Sequence, residues 1–262
     1  MSLTFVPLHP LFAACADGVD LRDDLATATV REIDAAMDRF AVLVFRRQEL
    51  GEDEQLAFTA RLGPMDPGRH LAVRQHRRVR PEFADVSNLD EQGRVADRNH
   101  RRILSNMATR LWHTDSSYKK PAAKFSLLYC SAIPLWGGET EFADMRAAYD
   151  ALPDRLRDEA EGREAEHYVH HSRATLGFAP SEEEIAGAIP AVTWPLVRSH
   201  AGSGRKLLYI GSHATQRQFV YRHEWRPRDL VMWDNRAVLH RGRRYDLVQR
   251  RDMRRSTVED RL

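Results

Sequence analysis

The stretch Leu111-Trp112-His113-Thr114-Asp115-Ser116-Ser117-Tyr118 carries an imidazole and a carboxylate two residues apart. If it is extended, positions i and i+2 point to one face, so His113 and Asp115 aim at a single point. That is two-thirds of the 2-His-1-carboxylate set that holds non-haem Fe(II). A His-x-Asp triplet alone also fits a surface histidine beside a turn aspartate, so the reading needs a third ligand. Val231-Met232-Trp233-Asp234-Asn235-Arg236-Ala237-Val238-Leu239-His240-Arg241 offers one in His240. After it comes Arg250-Arg251-Asp252-Met253-Arg254-Arg255-Ser256-Thr257. A planar guanidinium holds a carboxylate through two parallel charge-assisted bonds. In an extended strand, positions 251, 253 and 255 share a face, so Arg251 and Arg255 can both point inward. The competing reading makes all four arginines a solvated basic edge. It is adopted here for Arg250 and Arg254.

The elements that must position these groups can be read in outline. Leu3 to Leu8 alternates as a first strand, and Asp17-Gly18 marks a turn. Thr27 to Phe40 reads as a helix with Val30, Ile33, Met37 and Phe40 on one stripe and Thr29 as its cap. Ala41 to Phe45 follows as a buried strand. Asp53 to Leu62 is a second helix, ended by Gly63-Pro64. Phe83 to Leu89 reads as a strand leading into a turn. Ala123 to Ala132 suits a central strand, stopped by Pro134 and Gly137-Gly138. Ala147 to Glu166 has a helical pattern interrupted at Pro153. Ala191 to Ser199 and Lys206 to Gly211 read as strands joined by Gly202-Ser203-Gly204. Asp229 to Asp234 and Arg254 to Val258 supply further strands. Many short strands and few late helices imply an α+β chain, mainly β. Its expected core is a double-stranded β-helix (jelly roll) with flanking helices.

Composition bounds the function. A chain of 262 residues with 42% apolar content can bury a sizeable core, and one domain over residues 1–262 is the economical reading. Net charge is +2, from 40 basic and 38 acidic residues, which argues against a nucleic-acid protein. Cys15 and Cys130 make no disulfide framework, so a reducing cytoplasm is expected. No signal-peptide pattern opens the chain, and no apolar run approaches the roughly 18 residues of a membrane span. The run Arg74-Gln75-His76-Arg77-Arg78-Val79-Arg80 reads as a solvated loop. The alternative is a lid that draws in an anion. His167, His170 and His171 cluster in sequence without a second ligand set around them, so they read as loop or packing residues.

His113, Asp115, Thr140, His240, Arg251 and Arg255, in that order, resemble the taurine dioxygenase/TfdA family of Fe(II)- and 2-oxoglutarate-dependent dioxygenases. The likeness runs from Gly18-Val19-Asp20-Leu21 to Thr257. It implies His113, Asp115 and His240 as iron ligands. Arg251, eleven residues after His240, would hold the far carboxylate of 2-oxoglutarate. Thr140, in Gly137-Gly138-Glu139-Thr140-Glu141-Phe142-Ala143-Asp144, would add a hydroxyl donor, and Arg255 would meet a substrate or co-substrate anion. O2 is the remaining reactant. Val86, Ser87, Asn88, His200 and His213 would lie near substrate. Phe125 to Leu128, Glu141 to Leu152 and Arg251 to Arg255 resemble the branch that cleaves 2,4-dichlorophenoxyacetate. That implies a small anionic organic acid such as an aryloxyalkanoate, cleaved at its ether, with succinate and CO2 released. A sulfonate, amino acid or secondary metabolite is the alternative substrate class. Relatives are often dimers or larger, so a homo-oligomer stays open.

Two departures from the family pattern stand out. Relatives place asparagine four residues before the first histidine, where this chain has Thr109; Asn106 is near but out of register. They also carry a loop and helix where only a few residues separate Gly211-Ser212-His213-Ala214 from Phe219-Val220-Tyr221. Two readings outside catalysis remain: a jelly-roll binding protein without activity, and a basic-surface nucleic-acid binder.

Overall fold

The elements follow in chain order as β1 (Thr4–Pro7), β2 (Ala14–Asp17), α1 (Thr27–Phe40), β3 (Val42–Phe45), α2 (Glu52–Arg61) and β4 (Ala84–Asp85). Next come β5 (Ala123–Ala132), β6 (Thr140–Asp144), α3 (Met145–Asp150), α4 (Asp154–Ala160), β7 (Glu164–His167), β8 (Val192–Pro195), β9 (Val197–Ser199) and β10 (Lys206–Leu208). The last are β11 (Val220–His223), β12 (Leu230–Asp234), β13 (Val238–Gly242) and β14 (Asp252–Glu259). This computed structural model describes residues 3–67, 78–100, 103, 106–168, 190–210 and 217–261. His170, His171, Arg74 to Arg77 and residues 211–216, which include His213, lie outside the described residues.

The chain is mainly β with few helices. A seven-stranded sheet runs β1-β2-β3-β12-β5-β14-β4, and a three-stranded sheet runs β11-β6-β13. Only β2 and β3 pair in parallel; the other pairs in these sheets are antiparallel. β3 and the first four residues of β12 read as unbroken apolar runs because both their faces are covered. On the outer face, Leu43, Phe45, Leu127, Tyr129 and Met232 pack against Ile33, Met37 and Phe40 of α1 and Phe58 of α2. On the inner face, Val42, Val44, Leu128, Cys130, Val231, Trp233 and Met253 meet Phe142 and Val238 of the smaller sheet. Successive residues of one strand therefore serve two different cores.

Some local expectations needed revision. α1 starts after Ala26 with no side-chain cap bond, so Thr29 lies inside the helix and does not cap it. The strand expected over Phe83 to Leu89 shrinks to β4, although Val86 N–H and Asn88 N–H still reach Met253 O and Arg251 O at 3.0 and 3.1 Å. Helical pattern ends at Ala160. Glu164-Ala165-Glu166-His167 instead pairs with β8, so tertiary pairing overrides helix-favouring glutamate and alanine. Pro153 sits at the N-cap of α4, where its missing N–H costs nothing. Gly137 has φ +75, and a Cβ there would meet Arg244 O at 2.2 Å, so only glycine lets this loop pass beside Tyr245.

Candidate metal and anion site

The inner surface between the sheets gathers the groups singled out in the sequence. His240 lies on β13, and its backbone exchanges both bonds with His113, at 3.0 and 2.8 Å. His113 is thus a one-residue extension at the edge of β13, and the pairing brings the two rings to 4.1 Å between centroids. Extended geometry ends there. Asp115 enters a turn in which Ser116 has φ +53, so the turn and not strand alternation brings the carboxylate beside the imidazoles. Ligand atoms of His113, Asp115 and His240 all lie within 4.8 Å of one another.

Their surroundings prepare them to ligate. His113 Nδ1 is 2.8 Å from Leu111 O, which can only accept, so Nδ1 carries the proton and Nε2 offers its lone pair. Burial lowers the pKa of His113 and, with His113 beside it, lowers that of His240 much further, which keeps both rings neutral. For Asp115, burial alone would raise the pKa. The Arg255 guanidinium, with the Ser126 hydroxyl, outweighs it and holds the carboxyl well below its usual range. Arg255 Nη1 donates to Asp115 Oδ1 and Ser126 Oγ to Oδ2, the latter at 2.7 Å. Two neutral imidazoles and one ionised carboxylate facing a common point suit a divalent first-row metal.

A second group of atoms suits an anion. Arg251 is 6% exposed, and Nη1 donates to Val86 O. Its Nε is buried without a hydrogen-bond partner, and burial depresses its pKa. Among the described residues, no carboxylate pairs with it. Thr140 stands opposite Gly242 on β6, two residues before Phe142, which stacks on His240 at 6.2 Å. Trp225 Nε1 donates to Thr140 Oγ1 at 3.0 Å, which leaves the hydroxyl proton for another acceptor. A desolvated guanidinium without its own acid and an oriented hydroxyl are each suited to meet a carboxylate.

Other candidates sit differently. Asn88 is fully buried and fully engaged: Nδ2 donates to Leu247 O and Gln249 O, and Oδ1 accepts from Arg251 N. Ser87 Oγ is taken by Asp85 Oδ1 and Leu89 N. Neither side chain has a polar atom to spare for substrate, so the pocket expectation is corrected for both. Asn88 instead ties the Leu247–Arg251 backbone in place. Val86 gives its carbonyl to Arg251 and packs against the inner core. His200 is corrected too. Its ring nitrogens lie 2.9 Å from Ser203 Oγ and 3.0 Å from Asp234 Oδ2. Asp234 stands opposite Phe125 on the outer face, away from the iron-ligand candidates. Asp38, His200 and Asp234 also converge within 4.8 Å, but Arg236 already holds Asp234 through Nε and Nη2 at 2.9 and 2.7 Å. That cluster is closed by its own cation.

Arg78 binds Asp85 and Asp252, and Arg80 binds Asp53. The described part of the basic run is therefore paired, not a free patch. Arg250 is exposed, as expected. Arg254 is not: it lies between the Phe83 and Tyr129 rings and donates to Gln55 Oε1 and Leu50 O. Thr109 Oγ1 bonds Asn106 O at 2.7 Å, and Asn106 Nδ2 bonds Ser87 O at 3.1 Å. Sequence reading missed Trp225, Ser126 and Asn235. The one available signal was a serine at an inward position within the apolar stretch Phe125 to Cys130.

Comparison with known proteins agrees with this chemistry. The model of the "Taurine catabolism dioxygenase TauD, TfdA family" matches residues 4–215 and 209–257. An alpha-ketoglutarate-dependent 2,4-dichlorophenoxyacetate dioxygenase of Cupriavidus pinatubonensis is 49% identical over 283 aligned residues, covering 99% of each chain. A protein of the same description from a Burkholderia species is 46% identical, over 98% of this chain and 95% of its own length. Among solved structures, AAD-2 in complex with Mn(II) and N-oxalylglycine superposes with a TM-score of 0.94 at 40% identity, covering 99% of this chain and 98% of that one.

Proposed function

Because the chain belongs to the TauD/TfdA family of Fe(II)- and 2-oxoglutarate-dependent dioxygenases, we propose that it hydroxylates an aryloxyalkanoate such as 2,4-dichlorophenoxyacetate and thereby cleaves the ether. His113, Asp115 and His240 hold the iron, and Arg251 with Thr140 holds the far carboxylate of 2-oxoglutarate. Bound there, Fe(II) with 2-oxoglutarate and O2 supplies oxidative decarboxylation coupled to hydroxylation of a substrate C–H bond, with succinate and CO2 released. Hydroxylation at a carbon that bears an aryl ether gives a hemiacetal, which breaks down to a phenol and an oxo acid. Arg255, whose Nε is buried and unpartnered, meets the substrate carboxylate. Phe142 and Trp233 line the inner core beside His240 and exclude water from that side. We further propose that residues 1–262 form one domain with a double-stranded β-helix core. The two sheets packed on a shared core and the span of the family match support this.

The observation that carries the reading is Arg251: a buried guanidinium that, among the described residues, pairs with no acid and is bonded to Val86 O, whose side chain packs on the inner core. Substrate identity rests on the relatives' named substrate. The test is anaerobic titration of Fe(II)-loaded protein with 2-oxoglutarate, followed by an aerobic assay of succinate with 2,4-dichlorophenoxyacetate. A visible charge-transfer band that is lost in His113→Ala, and succinate release that rises with the aryloxy acid, are expected. A band without stimulation by any aryloxyalkanoate would overturn the substrate assignment. No band in folded, iron-loaded protein would overturn the site.

A further inference from the structure

Behind Asp115 lies a chain of buried polar groups that the reaction itself does not use. Trp233 Nε1 donates to Asn235 Oδ1 at 2.9 Å, and Asp115 N–H donates to the same oxygen at 3.2 Å. Asn235 Nδ2 lies 2.9 Å from Ser126 Oγ, and Ser126 Oγ lies 2.7 Å from Asp115 Oδ2. Thr114 Oγ1 donates to Asn235 O at 2.6 Å, so the same residue also anchors the backbone next to Asp115. Ser126, Trp233 and Asn235 are all within 1% of complete burial.

Chemistry fixes the direction of every bond. An indole N–H and a peptide N–H can only donate, so the amide atom that meets both must be oxygen. The other end is then NH2, which can only donate to Ser126. The hydroxyl has one proton. With Asn235 as donor to its oxygen, that proton goes to the ionised Asp115. Rotating the Asn235 amide would set two donors against two donors and leave Ser126 Oγ without its donor.

We propose that Ser126 and Asn235 are positioning residues for Asp115, and that they set its affinity for the metal. This rests on the reading that His113, Asp115 and His240 bind Fe(II). Asp115 sits on a turn, not a strand, so its backbone does not by itself aim the carboxylate. Two donors hold it, Arg255 on Oδ1 and Ser126 on Oδ2. An ionised carboxylate has about four lone-pair sites, so each oxygen keeps one for the side facing the histidines. Arg255 is shared with the substrate anion. Ser126 has no other charged partner and constrains Asp115 whether or not substrate is bound.

The test is titration with Co(II), a spectroscopic probe for the Fe(II) position, of the parent and of Ser126→Ala, Asn235→Asp, Ser126→Thr and Thr59→Val. Folding is followed separately by circular dichroism and melting of the metal-free proteins. Ser126→Ala and Asn235→Asp are expected to weaken Co(II) binding about 10- to 100-fold and to alter its d–d bands, as loss of groups that orient a ligand does. Ser126→Thr keeps the hydroxyl and should bind within about threefold of the parent, well short of that loss. Thr59 bonds Ser256 on the opposite face of the sheet, so Thr59→Val should lower the melting temperature while Co(II) affinity holds. Parent-like affinity and band shape in whichever of Ser126→Ala and Asn235→Asp folds would overturn the proposal. So would a fall in affinity of the same size in Thr59→Val, because it would make the effect a general loss of stability. A parent that binds no Co(II) is a different result: it removes the metal site itself.

Discussion

With the 2-oxoglutarate role proposed for it, Arg251 sets stability against ligand binding at a single residue. Its guanidinium is buried against Val86 O and the Tyr245 ring and, among the described residues, has no acid to compensate its charge. Arg251→Met keeps the length and removes the charge. It leaves Val86 O unpaired, at a cost of about 1 kcal/mol, but removes the larger desolvation cost, so the metal-free variant should be more stable by about 1 kcal/mol or more. It should also lose about 2–4 kcal/mol of 2-oxoglutarate binding, roughly 30-fold or more in Kd. A variant less stable than its parent would show that Arg251 serves the fold first. Trp225→Phe makes a milder case. Losing the donor to Thr140 should raise the KM for 2-oxoglutarate about fivefold, near 1 kcal/mol, with kcat little changed. An unchanged KM would detach Trp225 from the co-substrate. At this scale the sequence pointed to the proposed iron ligands, because their types and offsets are restrictive, and the fold brings His113, Asp115 and His240 together. It hid their supports. Ser126 and Asn235 are 109 residues apart and Asn88 and Arg251 163 apart, and such bonds have no local signature.

At the scale of elements, β14 shows what alternation captures and what it misses. Arg255 points inward to Asp115, as a shared face with Met253 requires. Arg254 then points outward, which at a sheet edge means solvent. Here α2 covers that face, so Arg254 is packed between aromatic rings and bonded to Gln55 and Leu50. Arg254→Ala should cost about 2–3 kcal/mol, since packing and two hydrogen bonds go together, while Arg250→Ala should stay within about 0.5 kcal/mol. Urea midpoints of the two variants, with 2-oxoglutarate KM as a control that neither should move, make the comparison. Equal midpoints would return Arg254 to the solvated edge. The limits of β5 were legible at both ends because its apolar run is long and stopped by Pro134 and Gly137. β7 was not legible, because a four-residue edge pairing with β8 owes nothing to the composition of Glu164–His167.

For the whole molecule, the buried titratable groups act together on acid stability. Burial lowers the pKa of His113, His167, His223 and His240. In the unfolded chain these imidazoles take up protons near pH 6.5, while in the folded one they resist, so the unfolded state binds more protons as pH falls. Their contribution is complete above about pH 6.5 and is lost below it. Asp115 and Asp234 add a second stage. Despite burial, which works against it, His200 and Arg236 hold Asp234 well below the usual carboxylate range, as Arg255 and the Ser126 hydroxyl hold Asp115. Unfolded, these acids protonate near pH 3.9, so their stabilisation is present above that value and disappears as pH drops through it. The melting temperature of metal-free protein should therefore be flat above pH 7, fall between pH 6.5 and 5, and fall again below pH 4. Asp234→Asn should lower melting at pH 7, because Arg236 loses its buried partner. It should also flatten the second fall and leave the first in place. A single fall confined to pH values below 4 would mean that the buried histidines do not differ between the folded and unfolded chains. The neutral imidazoles on which metal binding depends would then need another cause than burial.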